Sequence, residues 1–501
     1  MVYFFLYLFI FGRNTIKMLT IHPFLYPSFL VIYYSIVIKV FFKILLENKH
    51  PLKTQSYLLL LVLLPIVGLI IYFYFGVNYR KEKMFSRKKV FEQKILKEWI
   101  NQHREELLQN KAFYKNMMNE KAKIPFLGFA NEYSVFTNNN SVEILHNGEN
   151  KFPRLLKELE QARHHIHVEY YMINDDMIGN QFIDLLCRKA KNRVKVRLIF
   201  DPVGSKVSRS MMARMNDAGI EVYKYMPVLL TRFANKINYR DHRKIVVIDG
   251  NVGYVGGMNV ADHYINGQGK KFWRDTHLRI EGDAVNTLQM LFLLSWYFVS
   301  GQLLKLDTKV FNVQTTGRSG VFMGILGSSP DSDSESMMEA YFSMITNARD
   351  EVLISTPYFI PNESILTALK TAAKSGVKVK IVLPKKADSF FVNAATQTFI
   401  EDLVEQHIEV YLYEKGVIHS KVIIVDECLS SIGSANMDYR SFEQNSEVNA
   451  FIYNHAIAKE LKNQFNEDLL SSQAIDLEQW QKRSFIKKLT GSLARVVAPL
   501  L

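Results

Sequence analysis

Two histidines in this chain are each followed, two residues on, by a lysine. His242 precedes Lys244 and His419 precedes Lys421, and both pairs open the pattern H-x-K-x-x-x-x-D that ends at Asp249 and Asp426. An imidazole can attack an electrophile or carry a proton, and a neighbouring ammonium can hold an anion beside it. The copies run in register: His419, Asp426 and Asn436 each stand 177 residues after His242, Asp249 and Asn259. In both copies the Asn closes a small-residue turn, Gly256-Gly257-Met258-Asn259 and Gly433-Ser434-Ala435-Asn436. A single copy would read as a surface or core histidine; two in register point to shared chemistry.

The elements that must position these groups follow from the filling between them. Ile245 to Ile248 and Val422 to Val425 are apolar and β-branched, which predicts buried strands. On a strand, residues two apart share a face, so His and Lys point together. Asp249 and Asp426 lie an odd step from their histidines and are expected to support the structure rather than touch substrate. Around each cassette the same plan recurs. A helix over 153–163, a strand over 165–171, a helix over 181–191 and a strand over 194–201 are matched by 338–349, 352–359, 365–375 and 377–383. Strands alternating with helices predict an α/β fold. Periodicity fades over 305–318 and a polar turn-rich stretch follows at Ser328 to Glu335, which places a boundary near 318. The expected fold is two similar α/β sandwich halves, 145–318 and 319–470, packed to form one pseudo-twofold site.

The doubled cassette resembles the phospholipase D superfamily, whose members bring two such motifs to one active site. The resemblance spans roughly residues 145–470 and includes both motifs complete. It implies a catalytic set of His242, Lys244, Asp249, His419, Lys421 and Asp426, acting on a phosphodiester. One His would attack phosphorus while the other protonates the leaving oxygen. Lys244, Lys421, Asn259 and Asn436 would hold the non-bridging oxygens, so neither a metal nor another cofactor is expected. The resemblance also implies a histidine-orienting acid in each half: Glu447, in Asn445-Ser-Glu-Val-Asn, and Asp275, in Trp273-Arg-Asp-Thr-His. Residues 265–272 read as an insertion ahead of Asp275. The near-symmetry of the two copies gives no basis for naming the nucleophile.

Within the superfamily, Tyr239-Arg-Asp-His242, Ser355-Thr-Pro-Tyr-Phe-Ile-Pro361 and Ala435-Asn-Met-Asp-Tyr-Arg-Ser441 are similar to bacterial cardiolipin synthases. That resemblance implies transfer of a phosphatidyl group from one phosphatidylglycerol to another through a phosphatidyl-histidine, with release of glycerol. The alternatives are another membrane-bound phosphatidyltransferase or phospholipase D, a membrane-tethered nuclease, and a silent scaffold that binds anionic lipid. No nucleic-acid module or base-stacking platform is recognisable, and a scaffold would not need both sets of His, Lys and Asn.

A net charge of +13 over 501 residues calls for an anionic partner, without choosing between lipid, nucleic acid and phosphorylated substrate. Cys187 and Cys428 stand in unrelated contexts and suggest neither a disulfide framework nor a zinc site. Val2 to Phe11 is apolar but lacks the features of a signal peptide, and Met18 is an alternative start. Apolar stretches over 24–46 and 57–76 are each about 20 residues, enough to cross a bilayer; Lys39 and Lys43 can snorkel to an interface. The basic cluster from Arg80 to Lys89 predicts, by the positive-inside rule, a multi-pass hairpin in the cell membrane with a cytoplasmic catalytic region. Residues 80–144 read as a basic amphipathic linker. Met226 to Leu230 and Phe390-Phe391 offer apolar groups near the cassettes where acyl chains could enter. Over 471–501, Phe485, Leu489 and Leu493 recur at helical spacing among Lys482, Arg483, Lys487, Lys488 and Arg495, an interfacial amphipathic helix or one packed on the catalytic region.

Overall fold

The computed structural model describes residues 25–47, 51–75, 123–130, 134–226, 239–266, 271–304, 320–332 and 334–497. Several expectations therefore lie outside the described residues: the segment 2–11 and Met18, the basic cluster at 80–89, the linker up to 122, most of the loop 226–230, and the boundary near 318. The chain divides into two compact units, 1–81 and 82–501.

In the first unit, α1 (Leu25–Glu47), α2 (Pro51–Leu63) and α3 (Pro65–Phe75) pack around Ile44, Leu61 and Tyr72. Among the described residues no helix is long and apolar enough to cross a membrane. The first expected span carries Lys39 and Lys43 within α1, and the second is divided at Leu64. Pro65 causes that division, since its ring leaves no N–H for the helical ladder. Helical hydrogen bonds nevertheless run on either side, from Leu64 N to Leu60 O at 2.9 Å and from Gly68 N to Leu64 O at 2.7 Å.

The second unit starts with α4 (Lys123–Ala130), β1 (Val135–Thr137) and β2 (Asn140–His146). Next come α5 (Asn147–Gln161), β3 (His165–Tyr170), α6 (Met177–Lys191), β4 (Lys195–Phe200), α7 (Arg209–Asp217) and β5 (Glu221–Lys224). The first cassette supplies β6 (Lys244–Ile248) and β7 (Val252–Gly256); β8 (Phe272–Arg274), β9 (Thr276–Gly282) and α8 (Ala284–Ser300) complete this half. Helix α6 begins earlier than its apolar periodicity suggests because Asp176 caps it, accepting from Gly179 N.

The other half runs through β10 (Phe322–Ser328), α9 (Ser336–Thr346), β11 (Glu351–Ser355), β12 (Phe359–Ile360), α10 (Glu363–Lys374), β13 (Lys378–Pro384), α11 (Phe390–Val404) and β14 (Glu409–Tyr413). It continues with β15 (Gly416–Ile418), the second-cassette strands β16 (Val422–Val425) and β17 (Leu429–Gly433), β18 (Met437–Asp438), α12 (Tyr439–Glu443) and β19 (Glu447–Tyr453). Helix α13 (His455–Leu470), β20 (Ser472–Ala474), α14 (Leu477–Gln481) and α15 (Phe485–Val497) close the described chain.

The first sheet has seven strands in the order β2-β9-β7-β6-β3-β4-β5. The second has nine, and its inner seven, β10-β19-β17-β16-β11-β13-β14, repeat the first sheet's order between β1 and β20. Strand directions repeat as well: β3–β4 and β11–β13 are parallel, β3–β6 and β11–β16 antiparallel. The α/β plan in two similar halves is thus present in the backbone.

Period-two alternation divides each central strand between two cores. Ile245 and Val247 of β6 and Val422 and Ile424 of β16 join one core shared by both halves. Val246 and Ile248 face the outer layer of the first half, and Ile423 and Val425 that of the second. Helix α8 is buried on nearly every side from Ala284 to Trp296, including Thr287 and Gln289, and contributes Ala284, Val285, Leu288, Leu291 and Leu294 to the shared core. That burial fuses the halves and fixes the cassettes relative to each other.

Candidate active site

Both histidines lie just ahead of their strands, and each is held there by the opposite half. His242 N donates to Ser446 O at 2.9 Å, and Ser446 N to Arg240 O at 2.8 Å. In the same way β15 pairs in parallel with β8, and His419 N donates to Arg274 O at 2.7 Å. The residue after Ser446 is Glu447, and the residue after Arg274 is Asp275. The strand contact that fixes each histidine therefore also delivers the other half's acid to it. His242 Nδ1 lies 3.0 Å from both carboxylate oxygens of Glu447, and His419 Nδ1 lies 2.7 Å from Asp275 Oδ2. The sequence suggests one acid per half without saying which histidine it serves; the structure pairs them crosswise.

Each acid is anchored at home. Glu447 accepts from the hydroxyls of Ser434 and Ser441, the latter at 2.9 Å, and from Asn445 Nδ2 at 3.2 Å. Asp275 accepts from Thr276 N at 2.7 Å. In the first copy the place of Ser434 is taken by Gly257, where a Cβ would come within 2.2 Å of Asp275 Oδ1. The second glycine of Gly256-Gly257 therefore exists to admit a carboxylate.

With Nδ1 committed to a carboxylate, each ring presents Nε2 as its reactive nitrogen. Burial lowers the His242 pKa to about 4, with Lys244 adding to the fall and Glu447 opposing it. Burial and Lys421 likewise lower His419 against the pull of Asp275. Both rings are thus neutral at rest. Burial tends to raise both carboxylates, but the facing histidines and lysines outweigh it and hold Asp275 and Glu447 below the ordinary range.

The lysines lie alongside. Lys244 Nζ donates to His242 O and Lys421 Nζ to His419 O, each at 2.5 Å, and Lys421 Nζ is also 2.9 Å from His419 Nδ1. Burial lowers Lys244 to about 7 and Lys421 to about 8. Two ammoniums held so far below their ordinary value form a site poised for an anion, whose arrival would restore their charge. Asn259 and Asn436 are both buried, each with an Oδ1 that has no hydrogen-bond partner; Asn259 Nδ2 donates to the Tyr264 hydroxyl at 2.8 Å.

Asp249 and Asp426, which the resemblance places in the catalytic set, lie apart from the histidine–carboxylate pairs and face backbone N–H groups instead. Asp249 accepts from the backbone N–H groups of Arg163, His164 and His165 at 2.8, 2.7 and 2.9 Å. Asp426 repeats this on Arg349, Asp350 and Glu351 at 2.9, 2.8 and 2.9 Å. Both follow their strand in left-handed backbone, φ 52° and 49°. They lock the turn that leads into β3 or β11, as their odd step from the histidine predicts.

Several site residues carry no signal in the cassettes. The Tyr171 ring meets His242 edge-on at 5.0 Å and lies 5.4 Å from Lys244 Nζ. Trp273 and Tyr264 flank His419 at 5.5 and 5.9 Å. Lys151, fully buried, donates to Met258 O at 2.8 Å and holds the Asn259 turn. Arg243, between His242 and Lys244, ties Glu447 O, the Ser295 hydroxyl and Ser328 O together. Among the described residues no cluster of His, Cys, Asp and Glu could hold a metal ion.

A family model described as cardiolipin synthase, PLD-like domain, matches residues 155–270 and 341–469, one segment in each half. The chain is 38% identical over 463 residues to cardiolipin synthase 2 of Bacillus anthracis, covering 91% of this chain and 88% of that one. It is 41% identical over 482 residues to a cardiolipin synthase of Geobacillus sp. (strain WCH70), covering 93% and 92%. It is also 36% identical over 501 residues to the probable cardiolipin synthase YwiE of Bacillus subtilis (strain 168), covering 100% and 99%. The crystal structure of phosphatidylserine synthase from Haemophilus influenzae Rd KW20 superposes with a TM-score of 0.55 at 14% identity, over 72% of this chain and 95% of that one, a likeness of fold.

Proposed function

The chain belongs to the cardiolipin synthase family of phospholipase D-like phosphatidyltransferases, and from that premise we propose how its own residues carry out the transfer and on which lipid. The donor is phosphatidylglycerol, whose phosphodiester sits between the cassettes with its charge met by Lys244 and Lys421 and by the amides of Asn259 and Asn436. Nε2 of one histidine attacks phosphorus. The P–O bond to the head-group glycerol breaks, and the other histidine, which takes up a proton at Nε2 as the anionic phosphodiester enters the site, gives that proton to the leaving oxygen and becomes neutral. Glycerol leaves; the proton-depleted imidazole then takes a proton from a glycerol hydroxyl of a second phosphatidylglycerol. That oxygen attacks phosphorus, expels the first histidine and yields cardiolipin.

The observation that carries this reading is the crossed pairing. It presents Nε2 of both imidazoles, one to attack as the neutral ring and one to carry a proton once the anionic substrate is bound, each with a buried carboxylate behind it to stabilise its cation. Division into two steps suits chemically alike donor and acceptor, since one phosphate pocket serves both. The catalytic halves are placed at 145–318 and 319–470.

We further place the enzyme at the cell membrane. In α1 to α3 the large apolar residues point outward: Val31, Val62 and Ile66 are each about two-thirds exposed while the interior holds little more than Ile44, Leu61 and Tyr72. Such an inverted distribution suits lipid rather than water. Residues 51–75, kinked at Pro65, together reach the length a bilayer asks of a helix, about 20 residues. The basic run at 80–89 would then keep the catalytic halves on the cytoplasmic side.

The test is thin-layer separation of lipids after incubating full-length protein with labelled phosphatidylglycerol alone. Cardiolipin and free glycerol in equal amounts support the reading. Phosphatidic acid as the sole product would replace it with a hydrolase, and cleavage of single-stranded DNA without lipid turnover with a nuclease.

A further inference from the structure

Helix α15 docks on the catalytic unit the wrong way round. Its contact with α11 is made by its small residues: Gly491 and Ala494 are buried, and a Cβ on Gly491 would lie 2.8 Å from Thr398 Cγ2 and 3.3 Å from Ala394 O. Two arginines at its edges secure the contact. Arg483 pairs with Glu401 at 3.7 Å, and Arg495 pairs with Asp402 at 3.3 Å while its guanidinium lies 4.4 Å from the Phe399 ring. The large apolar residues face away. Phe485, Ile486, Leu489 and Leu493 remain between 47% and 77% exposed. At 3.6 residues per turn these four occupy one arc of the helix, and Gly491 and Ala494 the opposite one. A surface helix that served only the fold would bury the four and expose the two.

The patch does not stop at α15. Phe390 and Phe391, at the start of the helix against which α15 packs, are also exposed, at 70% and 59%. Asp388, two residues earlier, accepts from the Tyr358 hydroxyl at 2.5 Å, and its charge reaches His419 and Lys421. Both exposed apolar groups thus belong to α11 and its partner: Phe390 and Phe391 open α11, and α15 packs on it at Ala394 and Thr398. Its surroundings are cationic: Lys482, Lys487 and Lys488 are exposed, and α15 carries no acidic residue. The two arginines are already matched by Glu401 and Asp402, so these lysines remain free to meet an outside anion.

We propose that α15 and the start of α11 form a second membrane contact, separate from the N-terminal helices, in which Phe390, Phe391, Phe485, Ile486, Leu489 and Leu493 enter the head-group region of an anionic bilayer. The lysines beside them meet lipid phosphates, and the active-site mouth opens at the depth where those phosphates lie. An amphipathic helix with lysines flanking its apolar face binds an interface in this manner. The occupant is assigned as lipid because the enzyme is read as acting on one; the surface itself follows from the exposure and the inverted docking.

The test uses full-length protein in vesicles of phosphatidylcholine and phosphatidylglycerol, with a fluorescent label on Ile486→Cys or Leu489→Cys in a Cys428→Ser background. Lys374→Cys, at the exposed end of α10, serves as control. Bromine-bearing lipid should quench labels at 486 and 489 but not at 374, and aqueous iodide should do the reverse. Omitting phosphatidylglycerol should weaken the lipid quenching. Labels at 486 and 489 as open to iodide as the control would overturn the proposal. So would protection that rises with protein concentration without lipid quenching, which would mark a contact between copies. The double variant Ile486→Asp with Leu489→Asp should raise the apparent KM for vesicular phosphatidylglycerol at least ~10-fold, the loss expected for two apolar side chains withheld from lipid. Quenching needs no turnover, so lipid quenching without cardiolipin formation would sink the transfer reading and leave this surface standing.

Discussion

Replacing Glu447 with Gln removes one charge at fixed shape and tests the crossed pairing. In the transfer proposed above, His242 becomes cationic whether it attacks phosphorus or takes a proton, and Glu447 is the carboxylate that meets that cation. The 3.0 Å contacts from Nδ1 to both oxygens put the charge centres about 4 Å apart, where an effective dielectric near 20 gives about 4 kcal/mol. Lost from the transition state, that is roughly a 10³-fold fall in kcat. The amide also relaxes the hold on the Nδ1–H tautomer, which adds to the loss. Asp275→Asn should act on His419 to a similar extent, since that contact is shorter, at 2.7 Å. The assay is cardiolipin formed from labelled phosphatidylglycerol by full-length protein near neutral pH, with thermal melting run in parallel to show that the variants fold. A Glu447→Gln enzyme of unchanged Tm that keeps within tenfold of the parent rate would refute the role given to this carboxylate.

Other outcomes follow from the same geometry. With Lys244 at about 7 and Lys421 at about 8, kcat/KM should decline as pH rises through this range, because the free site loses the cations that meet phosphate; Lys244→Arg, always charged, should move that limb upward, and a flat profile across it would contradict the assignment. Asp249→Ala strips the acceptor from three backbone N–H groups and should cost roughly 2–4 kcal/mol, read as a lower Tm, whereas the rate per folded molecule should change far less than in His242→Ala. Activity should survive EDTA, since the two lysines bring the charge that a metal would otherwise bring; loss reversed by a single divalent ion would count against this.

The readable part of this protein was whatever repeats or alternates. The cassettes announced themselves through register, and the β-branched filling of 245–248 and 422–425 marked the two central strands. Parity along those strands also separated Asp249 and Asp426 from the groups beside the imidazoles. What stayed hidden depends on contacts between distant segments. Nothing local in Ser446-Glu447 says that its backbone pairs with residues 240–242, yet that contact decides which histidine the acid serves. Helix α8 buries Thr287 and Gln289 along with its apolar residues, so its place in the shared core follows only from the packing of two sheets. Tyr171 and Lys151 precede any motif and act through a ring contact and a carbonyl respectively. At α15 the pattern was legible, but which arc would meet the protein was not: the sequence leaves an interfacial helix and a packed one both open, and the close approach at Gly491 and Ala494 turns Phe485 and Leu489 outward.

The exchange of acids across the two halves constrains how this molecule can change over time. A substitution that shifts Glu447 is felt at His242, encoded some two hundred residues upstream, and one that shifts Asp275 is felt at His419. Neither half can therefore drift alone, and a chimera that takes one half from a distant relative disturbs both dyads in a single step. The same wiring is what two identical copies related by a twofold axis would produce if each lent its carboxylate to the other. A single-cassette ancestor would thus have been inert as a monomer, and joining two copies end to end would have made permanent a partnership on which its chemistry already depended.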